Sequence, residues 1–244
     1  MDTFTEVVKL VYENCFFASI DLKHAYYSVP IAKIHRDWFR FIWHGKHYRF
    51  KCLVQGYRDA PRLFSKLLRP VFAHLHELGM ISSSYIDDFI FLASSDSELR
   101  NYLDYASKLF DNLGFTINLN KSSFLPSHEM EYLGFILNSS SMTVTLTLQK
   151  QEKIKTLGSE LLMDSKITVR KFASFIGNLV AASPAVTLAP LKYKPLEIVK
   201  NKVLMNNCGN YDTLMILDDK TKLYIKWWIN NISLQKKTHF LVYT

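Results

Sequence analysis

Two adjacent carboxylates, Asp87 and Asp88, lie in the segment SYIDDFIFL of residues 84–92, whose other residues would form a buried strand. Burial of an unpaired carboxylate is costly and two neighbouring carboxylates repel each other, so the pair needs water, a cationic partner or a metal ion. A solvated hairpin tip would provide the water, since Asp favours turns. A metal site would need further oxygen ligands from elsewhere in the chain.

A third acid, Asp21, ends the apolar segment FFASIDL of residues 16–22. By itself it is also explained as a turn acid at a strand end. If its strand pairs beside the Asp87 hairpin, carboxylates from two elements meet and form an all-oxygen site suited to Mg²⁺ rather than zinc. Because adjacent strand residues point to opposite faces, we predict Asp21 and Asp87 as principal ligands and Asp88 as secondary. Two divalent ions about 3.5–4 Å apart in such a site would serve phosphoryl transfer.

Basic side chains are unevenly distributed along the chain, whose formal net charge is +8. Residues 33–62 hold eight basic and two acidic residues, residues 149–244 hold fifteen and seven, and residues 63–148 hold five and nine. Two basic regions around an acidic middle suit a polyanion that crosses a cation-binding centre, although solvated Lys and Arg would explain the C-terminal region. In residues 33–62 basic residues alternate with aromatic ones, which favours phosphate contacts beside stacking faces. A half-buried strand pair would alternate in the same way, and both interpretations can hold together. The nucleic-acid-binding candidates are Arg36, Arg40, Lys46, Arg49 and Arg58.

The periodicity of apolar residues predicts an α+β fold, with helices packed against a mostly antiparallel sheet. Ala60-Pro61 opens a helix that Gly79 ends, and Asp96 or Ser95 caps a second one. The predicted strands are residues 15–22, a hairpin of 39–43 with 48–53, a hairpin over 83–93, and residues 115–118 and 131–138; the predicted second helix is 97–113.

A polar break at Ser139-Ser140-Ser141 predicts a boundary between residues 1–140 and 141–244. Beyond it the pattern is mainly helical: Thr168 caps one helix, and others are predicted over residues 188–205 and 218–231. The apolar run of residues 240–244 stops as a strand would begin, so we interpret it as a cut end.

Five segments, in order and spacing, resemble the palm of reverse transcriptases from retroviruses and retrotransposons, and together they cover about residues 19–137. The segment of residues 169–197 and the pair Trp227-Trp228 resemble more particularly the tyrosine-recombinase retrotransposons of DIRS type. The five segments are SIDLKHAYYSVPI (19–31, motif A), LVQGYRDAPRLFSKLL (53–68, motif B), YIDD (85–88, motif C), LGFTINLNKS (113–122, motif D) and EYLGFIL (131–137, motif E).

The resemblance implies a right-hand polymerase palm with partial fingers, followed by a mainly helical thumb and connection. It implies RNA-directed DNA polymerase activity with two Mg²⁺ ions, or Mn²⁺ in their place, adding deoxynucleoside triphosphates to a primer on an RNA or DNA template. Asp21, Asp87 and Asp88 would be the catalytic acids, and together with the backbone carbonyl of Leu22 they would be the metal ligands.

The resemblance also assigns the residues around the substrate. Tyr26 would exclude a 2′-hydroxyl; the adjacent Tyr27 is the alternative, but in a strand it would face away and lie in the core. Gln55 and Gly56 would contact the incoming nucleotide, since Gly permits close backbone approach. Lys121 would contact or protonate the triphosphate, unless it is only a solvated residue after a strand. Leu133 and Gly134 would form the primer grip.

The chain departs from the family in one motif and at its ends. His24 stands where the family usually has an acid, and we do not interpret it as catalytic. The chain begins about 20 residues before Asp21 and stops where an RNase H domain would begin, so we expect most of the N-terminal fingers and the RNase H domain to be missing.

Three functional hypotheses follow. The first is the polymerase; the second is a truncated retroelement remnant that binds nucleic acid without catalysis; a different two-metal phosphoryl-transfer enzyme is disfavoured by Tyr26 and Gln55-Gly56.

No apolar run reaches the roughly 18 residues of a membrane span and no signal peptide is recognisable, so we expect no membrane partner and an intracellular location, either cytoplasm or nucleus. The oligomeric state stays open.

Overall fold

A computed structural model describes residues 3–238, and the chain divides into two compact units at Met130 and Glu131. The boundary predicted at residue 140 lies further along the chain. Ser139–Ser141 are instead the tip of a hairpin in which Thr143 pairs with Asn138, so the polar break is a turn within the sheet of the second unit. Because a serine-rich hairpin tip and a linker are equally polar, the composition did not separate them.

The first unit is an antiparallel sheet with helices packed against it. The strand order is β4-β5-β1-β6, and β7 also pairs with β1. Short 3₁₀ helices span Ala25–Ser28 and Lys33–Phe39. The elements in chain order are α1 (Phe4–Leu10), β1 (Phe16–Lys23), β2 (Arg40–Trp43), β3 (Lys46–Arg49), α2 (Ala60–Glu77), β4 (Ile81–Tyr85), β5 (Asp88–Ala93), α3 (Asp96–Asn112), β6 (Thr116–Ile117) and β7 (Ser123–Ser127).

The core of the first unit lies between this sheet and the apolar faces of α2 and α3. Phe89 of β5 packs against Phe72 of α2, with ring centroids 5.0 Å apart, and against Phe110 of α3 at 5.1 Å. Each fully buried aromatic side chain contributes about 1.5–3 kcal/mol to stability. The predicted α+β class is confirmed, with the antiparallel sheet backed by helices.

Local signals set the bounds of both helices. Pro61 stands in the first turn of α2, where its missing N–H costs nothing, and Gly79 follows the helix at φ +80°. Ser95 caps α3 by accepting the Glu98 N–H at 3.2 Å.

The β2–β3 hairpin stands apart from the five-stranded sheet as a two-stranded ribbon. Its turn residues His44 and Gly45 both have positive φ, the pattern of a type I′ turn, so the second strand begins at Lys46, earlier than predicted. Every residue of both strands is exposed, so the half-buried strand pair is the wrong interpretation of the alternation.

The second unit has mainly helical secondary structure and a small sheet of strand order β13-β10-β9-β8, with a separate β11–β12 pair. Thr168 caps α5 as predicted, accepting the Lys171 N–H at 3.2 Å, and Trp228 of α7 is buried. Residues 240–244 lie outside the described residues. The elements are β8 (Glu129–Tyr132), β9 (Phe135–Asn138), β10 (Thr143–Leu146), α4 (Leu148–Met163), β11 (Ile167–Thr168), α5 (Val169–Ala182), α6 (Ala189–Asn206), β12 (Leu214–Met215), α7 (Asp219–Asn231) and β13 (Lys237–Thr238).

The strand predicted over residues 131–138 is wrong as a single element. Leu133 and Gly134 have φ of +51° and +74° and form a tight turn between β8 and β9. No helix in residues 3–238 has the length and apolarity to span a bilayer.

Candidate active site

Asp21 and Asp88 lie directly opposite each other on the antiparallel strands β1 and β5. Directly opposed residues project from the same face of a sheet, so these two carboxylates are neighbours. Asp21 is buried, with 8% of its surface exposed, whereas Asp88 is half-buried. The register therefore places Asp88, rather than Asp87, opposite Asp21. The ranking of Asp87 above Asp88 as a metal ligand stays a prediction.

Asp87 lies in the two-residue turn between β4 and β5, because Tyr85 pairs with Asp88. Its carbonyl accepts the Leu22 N–H at 3.1 Å, which ties the turn to β1. The other turn residue, Ile86, has a φ of +58°, a strained conformation for a β-branched side chain. Strand alternation consequently does not decide where the Asp87 side chain points.

Six of the predicted site residues line one cavity of about 380 Å³: Asp21, Leu22, Tyr26, Gln55, Asp87 and Lys121. Gly56 and Asp88 are chain neighbours of lining residues. The other lining residues are Lys23, His24, Ala25, Ile86 and Asn118.

The loop that carries Lys121 is fastened to the backbone of Asp21. The Asn118 N–H donates to the Asp21 carbonyl at 2.8 Å, and the Asp21 N–H donates to Ser122 Oγ at 3.0 Å. Ser122 Oγ in turn donates to the Asn118 carbonyl at 2.8 Å. Sequence reasoning identified Lys121 but missed Asn118 and Ser122, although both stand in the motif D segment. Their polar side chains beside a lysine were the available signal.

The clustered acids perturb one another. Burial, the charge of Asp87 and a hydrogen bond with Asp21 together raise the pKa of Asp88 from 3.8 to about 6. Burial also raises the pKa of Asp87, with the charge of Asp21 adding to the rise, whereas Lys121 opposes both shifts. The site therefore holds an excess of negative charge that a cation would relieve.

Tyr26 stands in the 3₁₀ turn that follows β1, where His24 has a φ of +54°. Its ring packs edge-on against Phe64 of α2, with centroids 5.5 Å apart, which fixes the ring beside the cavity. Burial and the charge of Asp87 raise the pKa of its hydroxyl. The prediction for Tyr27 is wrong: it is 44% exposed, because this segment is a 3₁₀ turn and strand alternation does not apply.

Gln55 and Gly56 precede α2. Gly56 has a φ of +88° and a Cβ there would meet no atom within 4 Å. The positive φ therefore explains why position 56 is a glycine. The open space beside Gly56 is compatible with the predicted close approach of a ligand.

The donor set fits a divalent cation that is shared with a substrate. Among residues 3–238 no three Asp, Glu, His or Cys side chains form a ready-made metal cage. Mg²⁺ is commonly held by one or two carboxylates together with substrate phosphates and water. Asp21, Asp87 and Leu22 line the same cavity, and the two carboxylates are oxygen donors of that kind.

The predicted primer-grip residues Leu133 and Gly134 belong to the second unit. Lys150 of α4 holds their turn: its Nζ donates to the Leu133 carbonyl at 2.8 Å and lies 4.0 Å from the centre of the Phe135 ring. A Cβ on Gly134 would collide with the end of the Lys150 side chain. Burial lowers the pKa of Lys150. Sequence reasoning missed this lysine.

The basic candidates differ in whether their side chains already bond to other groups of the protein. Arg40 and Arg49 both pair with Asp37, at 3.0 and 2.9 Å, and these two arginines lower the pKa of that exposed carboxyl. Arg36 Nε donates to the Ile31 carbonyl at 2.8 Å. Lys46 and Arg58 are exposed.

Residues 2–137 match the model of the family described as reverse transcriptase (RNA-dependent DNA polymerase). The chain is 28% identical over 157 residues to the retrovirus-related Pol polyprotein from transposon gypsy of Drosophila melanogaster, and 31% identical over 163 residues to the Gag-Pol polyprotein of walleye dermal sarcoma virus. Each match covers 64% of this chain but only 14% and 8% of those polyproteins.

Solved structures agree on the fold. The foamy viral protease-reverse transcriptase in complex with an RNA/DNA hybrid superposes with a TM-score of 0.76 at 23% identity, over 96% of this chain and 29% of that one. A second foamy viral structure, with double-stranded DNA, also has a TM-score of 0.76, at 22% identity over 96% of this chain and 38% of that one. Since the family model covers more than half of the chain, the chain belongs to the reverse transcriptase family.

Proposed function

We propose that this chain forms the polymerase centre of an RNA-directed DNA polymerase that extends a primer on an RNA or DNA template. In that reaction the primer 3′-oxygen loses its proton and bonds to the α-phosphorus of a deoxynucleoside triphosphate, and the bond to the departing pyrophosphate breaks. The observation that carries the proposal is the single cavity that gathers Asp21, Asp87, Tyr26, Gln55 and Lys121 in a member of this family.

Asp21 and Asp87 would hold the divalent cations, with Asp88 opposite Asp21 contributing charge. Two bound Mg²⁺ or Mn²⁺ ions would supply activation of the 3′-hydroxyl and stabilisation of charge on the leaving pyrophosphate. The raised pKa values of Asp87 and Asp88 support this, because they reflect burial and the repulsion between neighbouring carboxylates, both of which a divalent cation would offset.

The remaining lining residues would position the nucleotide. Lys121 places a positive charge on the acidic cavity and would bind the triphosphate. The Tyr26 ring, held against Phe64, would meet the sugar and leave no room for a 2′-hydroxyl. Gln55 would contact the incoming nucleotide.

Residues 33–62 would contact phosphates. Exposed aromatic side chains support this role, notably Trp38 with 84% of its surface exposed, together with the charges of Lys46 and Arg58. The foamy viral relatives of this fold were solved with double-stranded DNA and with an RNA/DNA hybrid. We further propose Leu133-Gly134 as the primer grip, a DIRS-type parent element and an intracellular location.

Primer extension on an RNA template with Mg²⁺ tests the proposal. We expect extension by the native chain, loss of at least about 100-fold in Asp87→Asn, and normal extension by Asp111→Asn, which changes an exposed carboxylate on α3. Equal extension by the native chain and Asp87→Asn would refute this assignment. Primer-template binding without extension by any of the three would favour the alternative, a nucleic-acid-binding remnant.

A further inference from the structure

The outward face of α2 carries a stripe of cations that the candidate active site does not use. Arg62, Lys66 and Arg69 follow one another at helical spacing, and Arg58 stands four residues before the first. All four are exposed, whereas Phe64 and other residues of the opposite face are buried in the core. We call Arg58, Arg62, Lys66 and Arg69 the α2 stripe.

The α2 stripe is unfavourable for the isolated protein. Arg58 and Arg62 lie before and in the first turn of α2, where the helix dipole disfavours positive charge, and the four cations repel one another. Asp59 pairs with Arg62 at 3.4 Å, and no other ion pair to the stripe occurs among residues 3–238. The next acid of α2 is Glu77, at its far end. A bound polyanion would offset both the repulsion between the cations and their unfavourable interaction with the helix dipole.

The surroundings of the stripe have the form of a groove. A cavity of about 570 Å³ is lined by the four stripe residues together with Pro61 and Ser65. Leu63 and Leu67 lie beside the cations with 39% and 48% of their surfaces exposed. The stripe begins three residues after Gln55, which lines the acidic cavity, and continues along α2.

We propose that the α2 stripe binds the phosphates of the unpaired template strand, the 5′ overhang that has not yet been copied. This inference rests on the proposed function, because a template is present only if the chain copies one. Arg62 and Arg69 are seven residues apart on α2, a rise of about 10 Å along the helix axis, and Arg58 stands just before the helix, so the stripe is long enough for a few consecutive phosphates. The exposed leucines favour a single strand over a duplex, since only unpaired bases offer apolar faces to them.

Binding of primer-templates that differ only in overhang length tests the proposal. The ligands are one duplex made blunt, with a 1-nucleotide 5′ overhang, and with a 10-nucleotide 5′ overhang. The variant is Arg62→Gln/Lys66→Gln/Arg69→Gln. The matched control is Lys9→Gln/Arg100→Gln/Lys108→Gln, which removes three exposed charges of the first unit elsewhere.

We expect the native chain and the control to bind the 10-nucleotide overhang at least about tenfold more tightly than the blunt duplex at low salt. In the stripe variant this ratio should fall below about twofold, with the affinity for the blunt duplex unchanged. The log–log salt slope for the long overhang should decrease by about 2, since each phosphate contact to a single strand contributes about 0.7. Unchanged thermal unfolding of the variant confirms that it folds.

Three outcomes would overturn the proposal. The native chain could bind all three ligands equally well, the control could lose as much affinity for the long overhang as the stripe variant does, or the stripe variant could lose as much affinity for the blunt duplex as for the long overhang. Binding needs no catalysis, so Asp87→Asn should retain the full overhang effect. If the native chain fails to extend primers but binds overhangs through the stripe, the polymerase proposal fails, the assignment of the strand as a template fails with it, and the stripe is left as a site for single-stranded nucleic acid.

Discussion

At the scale of single residues, the acid cluster makes the folded state sensitive to pH. The pKa of Asp88 is raised from 3.8 to about 6, so the folded protein binds this proton more tightly than the unfolded chain does. The resulting stabilisation is complete below pH 3.8 and is lost as the pH rises through about 6. A shift of about two pKa units corresponds to about 3 kcal/mol, which solvent screening at this half-exposed site reduces to about 1–2 kcal/mol.

The variant Asp88→Asn should therefore be more stable than the native chain by about 1–2 kcal/mol at pH 8 and equally stable at about pH 4. Urea unfolding in a chelator at both pH values measures this difference. The exposed Asp111→Asn should show no pH-dependent gain. Addition of Mg²⁺ should stabilise the native chain more than Asp88→Asn. A gain for Asp88→Asn that is the same at both pH values would contradict the explanation by the raised pKa of Asp88.

We expect Tyr26 to exclude ribonucleotides in the proposed reaction. Tyr26→Ala should raise the relative efficiency of ribonucleotide incorporation by at least about tenfold, or about 1.4 kcal/mol in the barrier, because the ring beside the cavity is removed. Tyr27→Ala is the control, since that ring is exposed and does not line the cavity. The measurement is the ratio of kcat/KM for matched ribo- and deoxynucleoside triphosphates. An equal change in both variants would remove this role from Tyr26.

At the scale of elements, tight turns present the predicted functional residues. Asp87 lies in the β4–β5 turn beside the strained Ile86, and Leu133 and Gly134 form the β8–β9 turn. Neither turn carries the Asn-Gly or Asp-Gly pair that announces a hairpin. For this reason residues 131–138 resembled one strand.

Lys150 couples α4 to the β8–β9 turn. Gly134→Ala should destabilise the chain by about 2–4 kcal/mol, because alanine is strained at positive φ and displaces the lysine that donates to the Leu133 carbonyl. Gly45→Ala, which has positive φ but open space, should cost only about 1–2 kcal/mol.

Urea unfolding of Gly134→Ala, Lys150→Met and the double variant measures the coupling. In the Lys150→Met background, Gly134→Ala should cost about as much as Gly45→Ala does in the native chain. Additive effects of the two changes would show that Lys150 does not hold the turn.

At the scale of the whole molecule, we expect the proposed binding of a primer-template to depend on the charge of residues 33–62. Binding to a primer-template should weaken with salt, and Arg36→Gln/Lys46→Gln should reduce the log–log slope by about 1.5–2 if both residues contact phosphates. Lys9→Gln/Lys108→Gln removes the same charge from outside residues 33–62 and should leave the slope nearly unchanged. Titrations at several salt concentrations decide between these results. Equal slopes for the two variants would show that residues 33–62 affect binding only through the net charge of the protein and do not contact phosphates.

The sequence by itself determined the family, the α+β class and most of the candidate site residues, but not Asn118, Ser122 or Lys150. Helix bounds were also predictable, because Pro61, Gly79, Ser95 and Thr168 act through bonds and conformations of their immediate neighbours. Properties that depend on residue type, such as the supply of oxygen ligands for a hard cation, can be inferred from the identity and order of the residues alone.

Only the tertiary structure decided which of these residues meet. The pairing of Asp21 with Asp88, the fastening of Lys121 through Asn118 and Ser122, and the exposure of Tyr27 depend on strand register and turn geometry. A register is set by contacts between segments far apart in sequence, here β1 and β5, and its energy is spread over the whole sheet. No local sequence pattern encodes the total energy of these contacts, so the geometry of the acid cluster could be obtained only from the tertiary structure.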